Sequence, residues 1–389
     1  MKITSIIANQ VRIPFRRPVK HASHTRTDTD SVVIQCVLED GTIGLGEGLP
    51  RDYVTGETIE SSMGALVQSD IPSQLQDCDT FFAACNLAER LKVPAPASDD
   101  RQCSTNAARC ALELAVLDAY GKLFHEPLSS VTKTLAGDLY YPRKSVQYSG
   151  IITSARGWKL RLASIIYRLG WFRQVKMKVG IPGQDDEKRV RLARRFLGGG
   201  IDLRVDANEA WSLDEAADRI LQLKQFAVSS VEQPVPHEQA LSLGKVRQKT
   251  SVPIMLDESL CSMVDAERAV QAGACDLFNL RLSKCGGFIP SLRLAQFARK
   301  HGLNYQLGCQ VGETAILSAA GRHFACSVAD IRYHEGSYDR HLVRESLSKK
   351  DITFGWAGHA PALSGYGLGV EWDMNALKRV TTRREVILG

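Results

Sequence analysis

The sequence is poor in the features that mark membrane-spanning, nucleic-acid-binding or secreted proteins. No run of about 18 apolar residues occurs, which excludes a transmembrane helix. No basic run alternates with aromatic residues and the net charge is only +6, so neither a membrane nor nucleic acid is an expected partner. Residues 1–5 lack the apolar core of a secretion signal, and we expect a cytoplasmic protein.

The ten cysteines are scattered, and no Cys-x-x-Cys pair occurs among them. Only Cys78 with Cys85, and Cys103 with Cys110, lie as close as seven residues apart. A structural zinc site needs more closely spaced ligand pairs, so zinc is not expected. We predict reduced, mostly buried thiols.

The first 125 residues have the pattern of an α+β unit. Apolar runs at 3–13 and 31–37 predict strands, and Asp40-Gly41 predicts a hairpin turn before a third strand. Helical periodicity follows at 57–69, 79–91 and 104–123.

From about residue 145 strand and helix patterns alternate, as in a chain of βα units. Candidate strands lie at 145–151, 173–178, 202–206, 229–232, 253–257, 276–280, 304–308 and 330–333. Eight parallel strands close a (β/α)8 barrel, and an open doubly wound sheet is the alternative. In an open sheet the site lies at the one point where the strand order reverses. Here at least four consecutive strands end in polar residues, so we favour the barrel.

Three carboxylates, Asp206, Glu232 and Asp257, each end an apolar run that reads as a buried strand. Side chains at the carboxyl ends of successive barrel strands share one mouth, so these three should meet. Without a cation they would repel one another. An all-oxygen site of this kind suits Mg²⁺, with Mn²⁺ as an alternative.

Lysines lie on both sides of this trio in the sequence. Lys176 and Lys178 alternate along one strand and should both point inward, and Lys284 should lie at the rim of the mouth across from Lys178. A neighbouring dication would lower their pKa values and allow them to act as bases. A metal with opposed lysines can remove a proton α to a carboxylate through an enediolate, and bases on both faces permit racemisation. The same pair would also support elimination or cycloisomerisation.

These motifs resemble the enolase superfamily, and within it the muconate lactonizing enzyme subgroup. The matching pieces are 175–180 (VKMKVG), 204–208 (RVDAN), 231–234 (VEQP), 256–259 (LDES) and 279–287 (NLRLSKCGG), extended by 44–48 (GLGEG) and 365–369 (GYGLG). The resemblance implies an α+β capping domain over a modified (β/α)7β barrel. It places the cap at 1–130, completed by about 360–389, and the barrel at 131–359.

The resemblance also implies roles for individual residues. Asp206, Glu232 and Asp257 would hold Mg²⁺, and Lys178 and Lys284 would be the acid/base pair. Lys176 would assist Lys178. Supporting contacts behind these groups would come from Asn208, Glu258 and Asn279.

Substrate identity depends on the capping loops and on the last barrel strands. We predict substrate contacts from His24, Arg26, Tyr53, Gln310, Glu313, Glu335 and Asp339. The Asp-x-Asp motif of dipeptide epimerases is absent after the eighth strand, although acidic residues are present.

The predicted activity is a racemase or epimerase of an N-acyl amino acid or dipeptide. Muconate-type cycloisomerisation and dehydration of the o-succinylbenzoate-synthase type are the alternatives. A catalytically silent binding barrel is a further alternative, which the intact carboxylate trio and lysines argue against. The expected partners are a small-molecule carboxylate substrate and further copies of the chain in a homo-oligomer.

Overall fold

The computed structural model describes residues 1–20 and 25–389, without the side chains of Lys20 and Thr25. His24, a predicted substrate contact, lies outside the described residues. The strands are β1 (Ile3–Lys20), β2 (Thr25–Leu38), β3 (Ile43–Gly48), β4 (Ser145–Gln147), β5 (Gly150–Ile152), β6 (Gln174–Lys178), β7 (Asp202–Asp206), β8 (Val228–Glu232), β9 (Ile254–Leu256), β10 (Leu277–Leu280), β11 (Asn304–Leu307), β12 (Ile331–His334), β13 (His359–Pro361) and β14 (Thr381–Leu388).

The helices lie close to the predicted ranges. They are α1 (Asp52–Thr55), α2 (Ile59–Gln68), α3 (Ile71–Gln74), α4 (Phe81–Arg90), α5 (Asn106–Leu123), α6 (Ser130–Leu135), α7 (Gly157–Leu169), α8 (Asp186–Leu197), α9 (Leu213–Lys224), α10 (Leu243–Lys249), α11 (Met263–Gln271), α12 (Phe288–Lys300), α13 (Ala315–Ser327), α14 (Asp339–Leu342) and α15 (Met374–Val380), with short 3₁₀ turns at Gly137–Leu139, His237–Ser242 and Trp356–Gly358. Within the described ranges, none of these helices is both long and apolar enough to cross a lipid bilayer.

Many barrel helices begin where the sequence supplies a capping side chain. The side chains of Asp185, Ser212 and Ser262 accept hydrogen bonds from the backbone N–H groups of the first turns of α8, α9 and α11. These bonds satisfy donors that have no partner inside the helix. The capping residues therefore fix where each strand-to-helix loop ends.

Strands β5 to β12 form one parallel sheet in chain order. Its outer strands are joined by a hydrogen bond of 2.8 Å from the Ser149 N–H, just before β5, to the His334 carbonyl oxygen at the end of β12. The predicted barrel is therefore confirmed. A doubly wound sheet would require the strand order to reverse, and it does not.

The predicted strand at 145–151 is wrong as a single element. Residues of β4 pair antiparallel with β13, whereas β5 pairs parallel with β6 in the barrel. The chain changes partner between them, because the Tyr148 N–H bonds to the Gly358 carbonyl and the next N–H bonds to His334. Apolar periodicity does not reveal such a change.

The antiparallel sheet of the N-terminal part has the order β14-β1-β2-β3. The C-terminal β14 thus returns to pair with β1 in the capping sheet. The domain limits at residues 130 and 359 stay a prediction. All ten cysteines are unpaired, and nine of them are buried.

Strand β3 packs directly on α5 through three alternating glycines. A β-carbon at Gly44, Gly46 or Gly48 would lie within 2.2 Å of a carbonyl oxygen of that helix. Glu47 projects to the opposite side and accepts hydrogen bonds from Thr314 and Leu317 at the start of the barrel helix α13. This strand therefore joins the capping sheet both to its own helix and to the barrel.

We predict that Gly46→Ala strongly destabilises the protein, because its new methyl group would lie 2.0 Å from the Ala111 oxygen. Overpacking of this kind costs about 1–3 kcal/mol or more. Gly64→Ala in α2 is the matched control, since no atom lies within 4 Å of the added carbon. Urea unfolding of both variants measures the difference, and equal stability would contradict this account of β3.

Candidate active site

A cavity of about 260 Å³ lies at the carboxyl ends of the barrel strands, beneath the capping sheet. Barrel side chains form its floor, and Val19, Arg26, Arg51, Tyr53 and Val54 come from the cap. A larger open groove of about 690 Å³ lies beside α10, at the amino ends of β9 and β10. Barrel enzymes place their sites at the carboxyl ends, so the smaller cavity is the candidate.

Strand register brings the predicted residues into one layer. Lys178 pairs with Asp206 across β6 and β7, and Asp206 pairs with Glu232 across β7 and β8. Asp257 directly follows β9, the next strand. The three carboxylates therefore lie side by side on successive strands, as the sequence predicts.

Two cations hold this trio together in the structure. Lys176 Nζ lies 3.3 Å from Asp206 Oδ2 and 3.3 Å from Glu232 Oε2. The Arg281 guanidinium contacts Asp257 and lies 3.6 Å from Glu232 Oε1. Among the described residues, no group of three acidic, histidine or cysteine side chains is arranged to hold a metal ion directly.

The trio nevertheless has the chemistry of a dication site. Burial and the neighbouring Asp206 charge raise the pKa of Glu232 to about 8. Burial opposes ionisation of Asp257 as well, but Arg281 and Lys284 outweigh it and lower its pKa to about 2. The residues thus form an all-oxygen donor set that requires positive charge, which fits Mg²⁺.

Lys176 is fixed as a cation rather than activated as a base. It is buried and also pairs with Glu335 Oε2 at 2.9 Å. Burial lowers the pKa of Lys176, but the charges of Glu232, Glu335 and Asp206 outweigh burial and raise it well above the usual value. The lowered pKa that the sequence predicts beside a bound dication stays a prediction.

Lys178 is the lysine that faces the cavity with a free amine. It is half-buried at the end of β6 and lines the cavity. Within residues 1–20 and 25–389, its ammonium has no hydrogen-bonding or ion-pairing partner. It is therefore available to a substrate.

Lys284 is not placed as the sequence predicts. Its fully buried Nζ donates to the Asp257 carbonyl at 2.6 Å, to the Asn279 carbonyl at 2.9 Å and to Asp257 Oδ1 at 3.0 Å. It is not among the described residues that line the cavity. The structure therefore gives Lys284 an internal position behind Asp257 instead of a place across from Lys178.

Arg281 lines the cavity instead, and the predicted set omits it. The Asn279 side chain points inward and donates to Glu232 Oε1 at 2.8 Å. Arg281 follows two residues later, on the same side of the extended chain. Lys284 comes after a series of turns, where strand alternation no longer applies. Counting along β10 would have singled out Arg281.

The predicted supporting residues contact the carboxylates. Asn208 donates to Glu258 Oε1 at 3.2 Å, and its own N–H donates to Asp206 Oδ1 at 3.1 Å. Burial and the Asp257 charge raise the pKa of Glu258 well above its usual value. With Asn279 on Glu232, these residues orient the floor of the cavity.

Five of the seven predicted substrate contacts line the cavity. Arg26, Tyr53, Gln310 and Glu313 line the cavity. Glu335 also lines it, but its carboxylate is held by Lys176 and Arg204.

The two other predicted contacts are Asp339 and His24. Asp339 is buried at the start of α14 and is not among the described lining residues, although Ser337, Tyr338 and Leu342 on either side of it line the cavity. His24 lies outside the described residues.

Comparison with known proteins agrees with this arrangement. The family model "Mandelate racemase / muconate lactonizing enzyme, N-terminal domain" matches residues 3–131, and "Enolase C-terminal domain-like" matches 160–376. The N-succinyl-L-Arg/Lys racemase of Bacillus cereus is 28% identical over 392 residues, covering 100% of both chains. Its crystal structure superposes with a TM-score of 0.85 at 25% identity, covering 99% of this chain and 100% of the other.

The L-Lys-D/L-Arg epimerase of Methylococcus capsulatus is 30% identical over 346 residues, covering 87% of this chain and 91% of that enzyme. These relatives are isomerases, and dependence on Mg²⁺ is typical of their family. Because the two family models together span both domains, the chain is an enzyme that belongs to the enolase superfamily, in the group of mandelate racemase and the muconate lactonizing enzymes.

Proposed function

We propose that this enzyme removes the proton α to a carboxylate and racemises or epimerises an N-acyl amino acid or a dipeptide. Lys178 carries the proposal, because its free amine lines the cavity in register with the carboxylate Asp206. A lysine beside a cation site is a suitable general base. The named relatives, a racemase and an epimerase of such compounds, support the same chemistry.

Asp206, Glu232 and Asp257 would hold Mg²⁺, and Mn²⁺ would suit the same oxygen ligands. When bound, the ion supplies positive charge that stabilises the enediolate form of the substrate carboxylate. Lys178 takes the α-proton on its side of the cavity. The buried Lys176 keeps the remaining carboxylates neutralised.

One polar atom from the barrel and one from the cap suit an acylated amino group. In the described chain, Gln310 Oε1 and Arg26 Nε are buried and have no hydrogen-bond partner. An amide N–H would satisfy the first and an amide or terminal carboxylate oxygen the second. The Arg26 guanidinium lies 6.0 Å from the centre of the Tyr53 ring, which positions it over the cavity.

Arg281 favours a second candidate, a one-sided reaction such as muconate-type cycloisomerisation or o-succinylbenzoate-synthase-type dehydration. Racemisation by two bases needs a proton-transferring group on each face of the substrate carbon. A guanidinium remains protonated in proteins, so Arg281 can donate hydrogen bonds but cannot serve as a base. Only Lys178, among the described lining residues, then supplies an unpaired amine.

We predict that Glu232→Gln removes most α-proton exchange, because the amide keeps the shape but loses the charge that a dication requires. Exchange is followed by deuterium incorporation from D₂O into N-acyl amino acids, dipeptides and muconates with Mg²⁺ present. EDTA should have the same effect on the unaltered enzyme, and Glu215→Gln, on an exposed helix, is the control. Full exchange after EDTA treatment would exclude the proposal.

Lys178→Ala and Lys284→Met should have opposite effects on activity and stability. The first should lower exchange by about 10²–10⁴-fold and leave unfolding unchanged, since it removes a base without partners. The second removes one of the two cations on the buried Asp257 carboxylate, which should lower stability by up to about 3–5 kcal/mol. Exchange rates and thermal unfolding measure both. A stable Lys284→Met variant that fails to exchange one enantiomer would restore Lys284 as a base.

Arg281→Lys should accelerate exchange of the enantiomer whose α-proton faces residue 281. An ammonium can lose its proton near neutral pH and a guanidinium cannot, and a positioned base contributes about 10²–10⁴-fold. Arg281→Met, which adds no base, is the control. Exchange of both enantiomers by the unaltered enzyme would support racemisation, and exchange of one alone would support the second candidate.

A further inference from the structure

Helix α7, on the outside of the barrel, presents an uncovered apolar face. Trp158, Leu162, Ile166 and Leu169 are exposed at helical spacing, and Trp171 follows with 75% of its surface exposed. The opposite side of the helix is buried through Leu160 and Ser164. Contiguous exposed apolar surface of this kind marks an interaction site.

The same segment is strongly basic. Residues 139–184 contain nine Lys or Arg residues and no Asp or Glu. Lys159, Arg161 and Arg168 are exposed on α7 itself. Lys159 and Arg161 contact aromatic rings, those of Trp158 and Phe196, at 5.7 and 5.8 Å. We define the α7 face as Trp158, Leu162, Ile166, Leu169 and Trp171 with these three cations. Its positive charge calls for an acidic partner.

The capping domain carries the complementary composition. Residues 52–89 contain seven Asp or Glu residues and no Lys or Arg. Five of the seven are exposed, namely Asp52, Glu60, Asp70, Asp77 and Asp79. Val67 and Phe82 are exposed in the same segment, at 52% and 58%. Glu60 and Val67 lie on α2 and Phe82 lies on α4, two helices that both pack on α5, and Asp77 and Asp79 directly precede α4.

We propose that the α7 face of one chain docks on the acidic cap face (Glu60, Val67, Asp77, Asp79 and Phe82) of a second copy. Two α7 faces would not pair with each other, because like charges would meet at the contact. Unlike faces meet either in a two-fold dimer, where each chain's α7 face contacts the other's cap face, or in a head-to-tail contact that repeats from chain to chain. The proposed reaction does not require this interface.

The experiment measures the mass of the full-length protein in solution by size-exclusion chromatography with light scattering. The unaltered chain should exceed the mass of one chain. The double variants Arg161→Glu with Arg168→Glu, and Asp77→Arg with Asp79→Arg, should each lose the assembly. Trp158→Ser with Leu162→Ser should act in the same way, because all of these side chains are exposed and the fold does not depend on them.

Mixing the two charge-reversed variants tests whether these two faces meet. Opposite charges then face each other again between the α7 face of one variant and the cap face of the other, and the mixture should regain the assembly. Arg384→Glu and Leu241→Ser, exposed elsewhere, are controls that should leave the mass unchanged. Circular dichroism confirms that each variant is folded.

Three results would overturn the proposal. The first is an unaltered protein that is a monomer, whether or not it binds vesicles of anionic phospholipid. The second is an assembly that survives the α7 changes. The third is an assembly lost by the α7 changes but indifferent to Asp77 and Asp79, which would mean that another surface receives α7.

Discussion

Like charges crowded at the mouth of the barrel impose the main constraint on this protein. Parallel strands in register bring Asp206, Glu232 and Asp257 together, and Glu335 arrives from the last strand. Buried carboxylates so close together are tolerable only with compensating positive charge. Lys176, Arg204, Arg281 and Lys284 provide it in the structure. Within the described chain the Lys178 ammonium has no such carboxylate partner, which supports its proposed role in proton transfer.

Buried carboxylates also attach the capping domain to the barrel, here by accepting hydrogen bonds from the first turns of barrel helices. Glu47 on β3 accepts hydrogen bonds at the start of α13, and Glu113 on α5 accepts them at the start of α12. Helix N-termini carry unpaired N–H groups and partial positive charge, which favour a carboxylate. Two buried contacts from one sheet and one helix therefore hold the cap over the mouth. Arg26 and Tyr53 are thereby presented to a cavity whose chemical groups come from the barrel.

Arg281, directly after β10, lies on the side of the barrel opposite Lys178 on β6. An ammonium there would make the two faces of a substrate carbon chemically equivalent, whereas the Arg281 guanidinium makes them unequal. Its planar group matches carboxylate oxygens well, as its contact with Asp257 shows. In the proposed reaction Lys178 removes the proton beside the carboxylates, and position 281 decides whether the opposite face of the substrate carbon also has a base.

The sequence by itself determined the element order, the barrel, the carboxylate trio and Lys178, because strand and helix periodicity and register along short strands are local properties. It did not determine the split at 145–151, the inward burial of Lys284 or the displacement of Asp339 from the cavity. Each of these lies beyond a strand end, where alternation stops and distant partners such as Gly358 or Asp257 direct the chain. Only tertiary structure could decide them, since a side chain past a turn points where its long-range contacts place it.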